Sequence, residues 1–100
     1  MTEPDPVALV SAAVAALSGS GRLLDASVSR GMALLESLEA STPRGAPLHH
    51  QIDVVRRWVG ALADEREHER FGGTAHLRSY LDVQLKLLGA AVADYLRDAH

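Results

Sequence analysis

The last quarter of the chain carries the pattern that decides the fold. Leu77, Leu81, Leu85, Leu88, Val92 and Leu96 recur at three- and four-residue steps. On an α-helix that spacing stacks the side chains along one stripe, whereas a half-buried strand would alternate by two. A helix over 74–98 is therefore predicted. Val83 and Leu87 stand off the stripe, so a second side of the same helix is apolar and calls for a partner of its own.

The rest of the chain repeats this period between clear stops. Asp5 before Pro6 reads as an N-cap followed by a first-turn proline, which has no N–H to leave unpaired. Val7, Val10, Val14 and Leu17 then form a stripe that ends at the run SGSG, residues 18–21. There Gly19 suits a left-handed close, and Ser20 can cap the next helix. A second stripe holds Leu24, Val28, Met32, Leu35 and Leu38, and STPRGAP, residues 41–47, is the densest Pro/Gly loop. A third holds Ile52, Val55, Val59 and Leu62 with Trp58 beside it, and Gly72-Gly73 ends that helix before Thr74, a possible cap. The predicted helices are 6–18, 21–40, 47–70 and 74–98, in one domain spanning 1–100. Short connections make sequential helices antiparallel, which implies a small up-and-down four-helix bundle. A kink at SGSG within one long helix would instead give a helical hairpin.

Composition agrees. Alanine (16) and leucine (15), both strong helix formers, supply most of the apolar mass, and the aromatic residues are Trp58, Phe71, Tyr80 and Tyr95 alone. There is no cysteine, which rules out disulfides and thiolate metal sites and suits a reducing cytoplasm. The formal charge of −3 speaks against a nucleic-acid partner, since phosphate binding needs local positive charge. The start, MTEPDP, is unlike the basic head of a secretory signal. The uncharged run from Pro6 to Gly21, 16 residues, falls short of the roughly 20 that a membrane span needs. The expectation is a soluble, cytoplasmic protein.

The densest chemistry-bearing run is ADEREHERFGG, residues 63–73. Glu65 and His68 form a Glu-x-x-His pair, which resembles half of a ferritin-like di-iron site, with Glu36 or Glu39 as a further ligand. HERFGG is similar to the surroundings of the phosphorylated histidine in two-component phosphotransfer domains, with Arg70 and Gly72 in the basic and small positions. The Arg70–His76 spacing also resembles the Arg-x4–6-His pattern of a helical RNase superfamily, but glycines interrupt it. The plainer reading is a solvated helix end. Glu67 with Arg70 and Arg66 with Glu69 sit at helix-neighbour spacing, each pair contributing about 0.2–0.5 kcal/mol. His49, His50, His68, His76 and His100 are scattered, with no His-x-x-x-His pair to hold a metal. No cofactor is expected.

Trp58-Val59-Gly60 resembles the W-x-G triplet of the small helical hairpins exported by type VII secretion, which act as homo- or heterodimers. That family keeps the triplet in the turn between its helices and carries a tyrosine-acidic tail signal. Here the triplet falls inside a predicted helix, and Tyr95 and Asp98 stand three apart rather than four.

With no nucleophile–base grouping, phosphate loop or nucleotide fingerprint in the chain, the reading leans away from an enzyme. It favours a bundle that works by self-association or by docking to another helical protein. The interface candidates are Val83, Leu87, Gly89 and Trp58. Gly31 and Gly89 are mid-helix glycines, each about 1 kcal/mol worse than alanine, and a close helix approach would account for them. Trp58 reads as a core anchor next to outward-reaching Arg56 and Arg57. Circular dichroism tests the fold class: at least about two-thirds helix is expected from periodicity throughout, and a strand-type spectrum would end this reading.

Overall fold

The computed structural model describes residues 5–19, 23–64 and 72–98. Among these, four helices account for 86% of the residues and no strand is present. They are α1 (Pro6–Leu17), α2 (Asp25–Ser41), α3 (Ala46–Ala63) and α4 (Thr74–Asp98). α1 packs mainly on α2 and α3 mainly on α4, with α1 also touching α4 and α2 touching α3. The helices thus form a closed ring of neighbours around one leucine-rich core. The molecule is 44 Å long, a length that α4 nearly matches by itself, since 25 residues rise about 37 Å.

Local chemistry explains the ends. Asp5 Oδ1 accepts from the Val7 N–H at 3.0 Å, leaving Pro6 in the first turn. α1 stops at Leu17, and Gly19 follows with φ +131°, a conformation that side chains with a Cβ rarely adopt. The two helices on either side of SGSG are separate, so the kinked-hairpin alternative does not hold. α2 begins at Asp25 rather than near 21. The extended segment before it inserts Leu23 into the core and consequently turns Leu24 outward, 68% exposed. Leu24 is the N-cap of α2, without a side-chain bond, and Ser20 lies outside the described residues.

The turn from α2 to α3 is stitched through Thr42, which is fully buried. Its hydroxyl donates to the Leu38 carbonyl at 2.8 Å, and its own carbonyl accepts from the Gly45 N–H at 3.1 Å. His49 Nε2 lies 2.6 Å from the same carbonyl oxygen. A carbonyl can only accept, so Nε2 carries the proton. Gly45 is buried against Tyr95, whose Cδ2 would lie 3.0 Å from a Cβ at that position. α3 ends at Ala63, not near 70, because Asp64 turns to an extended conformation with ψ 108°. Gly72 and Gly73 take φ +86° and +102°, and the Gly73 carbonyl accepts the first bond of α4.

The core follows the predicted stripes on α3 and α4 closely. Ile52, Val55, Val59 and Leu62 are buried, as are Leu77, Leu81, Leu85, Leu88 and Val92, while Leu96 is partly buried. The stripes of the shorter helices are rotated. α1 buries Val10, Ala13 and Leu17 and leaves Val7 exposed; α2 buries Gly31, Leu35 and Leu38 with Val28 and Met32 at the rim. The reason is steric. At Gly31 a Cβ would stand 2.4 Å from Leu17 Cδ2 and 2.7 Å from its Cγ, so the glycine lets α1 approach the α2 backbone.

This contact separates the glycines by experiment. Gly31→Ala should destabilise the fold by about 1–3 kcal/mol, because fully buried Leu17 has nowhere to move and overpacking outweighs helix propensity. Gly60→Ala and Gly89→Ala meet nothing within 4 Å and should stabilise by up to about 1 kcal/mol through propensity alone. Denaturant unfolding of the three variants checks both signs.

Candidate functional site

α4 presents two faces of different character. The leucine stripe enters the core, and the outer face carries His76, Tyr80, Val83, Leu87, Ala90 and Asp94, all exposed, at alternating four- and three-residue steps. Tyr80, Val83 and Leu87 retain 46%, 52% and 49% of their surface. Among the described residues they account for most of the large exposed apolar side chains, the others being Val7 and Leu24 near the other end of the sequence. The two expected candidates Val83 and Leu87 therefore share one continuous apolar strip with Tyr80.

Trp58 joins this strip from α3. Its ring packs on that of Tyr80 with centroids 5.1 Å apart and planes tilted by 31°, a separation within the range of favourable aromatic pairs. One face of the indole is thereby held against the rim of the core while the pair borders the outer surface. Two further links hold α3 antiparallel to α4 here. Gln51 donates to the Gln84 side chain at 2.9 Å and to the Gln84 carbonyl at 3.0 Å, and Gly45 lies against Tyr95. The strip is thus mounted on a rigid hairpin.

Gly89 does not belong to it. At about 100° per residue, Gly89 lies about 120° around α4 from Val83 and about 160° from Leu87. Nothing within 4 Å approaches it from inside the chain. The close approach that explains Gly31 does not explain Gly89.

The charged candidates fall elsewhere. Glu65 and His68 lie outside the described residues. Glu36 is exposed, and the Glu39 carboxylate accepts from Arg56 at 2.8 Å, with Asp53 bonded to the same guanidinium at 3.2 Å. Glu39 is therefore tied into a bridge between α2 and α3. Among the described residues no three His, Asp or Glu side chains converge in a way that could hold a metal. Arg57 is exposed, whereas Arg56 is spent on the α2–α3 bridge, so they form no paired basic patch beside Trp58. The W-x-G triplet lies inside α3, not in a turn, and the described residues hold four helices rather than two. No helix among the described residues is long and apolar enough to cross a membrane.

A groove of about 460 Å³ opens between the α2–α3 turn and the last turns of α4. Arg44 and Pro47 form one wall, Asp94 and Asp98 the other, with Tyr95 between them. Asp94 is paired with Arg97 one turn on. Among the described residues no histidine, and no hydroxyl other than the Tyr95 phenol, lines the groove, and these residues offer no nucleophile–base pairing of the kind acyl or phosphoryl transfer needs.

Arg78 is the residue that periodicity missed. It is 7% exposed, the one buried charged side chain among the described residues, and its Nη1 donates to the Leu17 carbonyl at 2.6 Å. Leu17 ends α1, where carbonyls lack helical partners and the dipole is negative. The guanidinium thus closes the C-terminus of α1 from α4, across 61 residues of sequence. Its signal was its place: Arg78 stands three residues before Leu81 and seven before Leu85, on the flank of the core stripe.

No protein-family model, curated protein or solved structure matches this chain. What it does must therefore be argued from its own surface. For the buried arginine the argument is one of stability. Arg78→Met keeps most of the aliphatic volume but leaves the Leu17 carbonyl without its donor, and should lower the unfolding free energy by about 1–3 kcal/mol. Thermal and denaturant unfolding measure this, and an unchanged midpoint would remove the assigned role.

Proposed function

We propose that this protein is a non-enzymatic helical bundle that works by associating with itself through the outer face of α4. One observation carries the reading: Tyr80, Val83 and Leu87 form an exposed apolar strip on a helix whose other apolar stripe already fills the core. Leaving large apolar side chains in water forgoes roughly 1.5–3 kcal/mol each, in proportion to the surface left uncovered. Scattered exposed residues need no explanation, but contiguous ones commonly mark contact surfaces.

The mounting of the strip supports the same reading. Trp58 and Tyr80 are aromatic anchors of the type enriched where interfaces gain most of their energy. Both are held in place before any partner arrives, which lowers the ordering cost of association. The groove beside Tyr95 offers no comparable case for catalysis, since its lining holds carboxylates, an arginine and a phenol without a base–nucleophile arrangement.

Val83→Glu with Leu87→Glu tests the reading. Both side chains are half exposed, so the double variant should keep its helical circular dichroism. By light scattering the native chain should be a dimer or larger at micromolar concentration, and the double variant a monomer. A native chain that stays monomeric at high concentration contradicts the proposal. So does a double variant that associates as the native chain does.

A further inference from the structure

The outer face of α4 also specifies how two copies would meet, on the reading that the chain self-associates there. His76, Tyr80, Val83, Leu87, Ala90 and Asp94 follow the alternating four- and three-residue steps of a coiled-coil seam. We infer that α4 pairs with α4 of a second copy in an antiparallel, two-fold arrangement centred on residue 85. In a two-fold contact, residue i meets residue j and j meets i, so each antiparallel register has a constant value of i + j. At a value of about 170, Val83 meets Leu87, Tyr80 meets Ala90, and His76 meets Asp94, each pair occurring twice by symmetry.

Sliding the pair by one heptad removes this match. A shift one way keeps Tyr80 against Val83 of the partner subunit but places Leu87 against His76 of the partner subunit and leaves Asp94 beyond the seam. The other way places Val83 against Asp94 of the partner subunit and Tyr80 against its Arg97. Burying an acid against a valine is costly, since its charge loses water and gains no partner. The central register is the one that sets apolar on apolar and basic on acidic. It also uses almost the whole helix: α4 spans Thr74–Asp98, and its midpoint lies one residue from the inferred axis.

The surrounding charges fit this arrangement with one exception. Asp94 already bonds Arg97 of its own chain, and a carboxylate has acceptor sites for a second donor such as the His76 ring N–H. Arg78 faces α1 and is remote from the seam. Lys86 is the exception, because its position beside the axis brings it near Lys86 of the partner subunit. Its exposed, flexible stem lets the two ammonium groups separate into water, and they weaken the contact without blocking it.

The absence of native cysteine makes the register readable by cross-linking. His76→Cys and Asp94→Cys are made as separate single variants and oxidised alone and as an equimolar mixture. A disulfide needs Cα atoms within about 7 Å, and in the inferred dimer each position lies about 27 Å along the axis from its own copy. The mixture should therefore give covalent dimer, and each variant alone should not. Lys86→Gln should tighten the native association several-fold. Sedimentation of the unmodified chain separates the two levels of failure. A monomer sinks self-association itself. A dimer whose His76→Cys variant cross-links alone, whose mixture does not cross-link, or whose Lys86→Gln variant dissociates more readily leaves self-association standing and overturns this register.

Discussion

Everything in this molecule is arranged around α4. It is the one helix long enough to serve both halves of the chain, with α3 packed along one flank and α1 against another. Its leucine stripe supplies the shared floor of the core, and Arg78 on the edge of that stripe reaches the buried carboxyl end of α1. A buried guanidinium is costly unless its donors are used. Here it satisfies a carbonyl that the end of a short helix would otherwise leave unpaired. The same helix that buries the leucines therefore also fixes where α1 stops and how it sits.

The dependence runs through close contacts as well as charge. α1 lies against the backbone of α2 because Gly31 leaves room for Leu17, and the α2–α3 turn lies against α4 because Gly45 leaves room for Tyr95. Each glycine trades helix propensity or chain stiffness for proximity. That exchange rotates the buried faces of α1 and α2 away from where their largest side chains alone would put them. Ala13 and Gly31 enter the core while Val7 stays outside.

This explains which parts of the fold were legible in the sequence. The two longer helices bury stripes of leucine, isoleucine and valine, so periodicity located their core residues directly. On the shorter helices Val10, Leu17, Leu35 and Leu38 are buried as expected, but Ala13 and Gly31, which carry little hydrophobic signal, are buried in place of their neighbours Val14 and Met32. The end of α3 was misplaced because helix-favouring charged residues continue past Asp64, where the backbone turns extended. The outer strip was legible in part. Val83 and Leu87 stood out by lying off the core stripe, and Tyr80 shares their face by the same spacing, but its contact with Trp58 of α3 is what no spacing within one helix reveals. Gly89 was grouped with them as a mid-helix glycine suited to a close helix approach, although helical rotation carries it to another side.

The proposal of a bundle that works by contact rests on the apolar strip of α4, Tyr80, Val83 and Leu87. The most direct test follows the strip itself. Methyl resonances of Val83 and Leu87 can be recorded with a soluble paramagnetic probe over a range of protein concentrations, with Val7 as an exposed reference. The account predicts that both become protected as concentration rises and are exposed again on dilution, while Val7 stays accessible throughout. Val83 and Leu87 methyls that remain as accessible as those of Val7 at every concentration would contradict it.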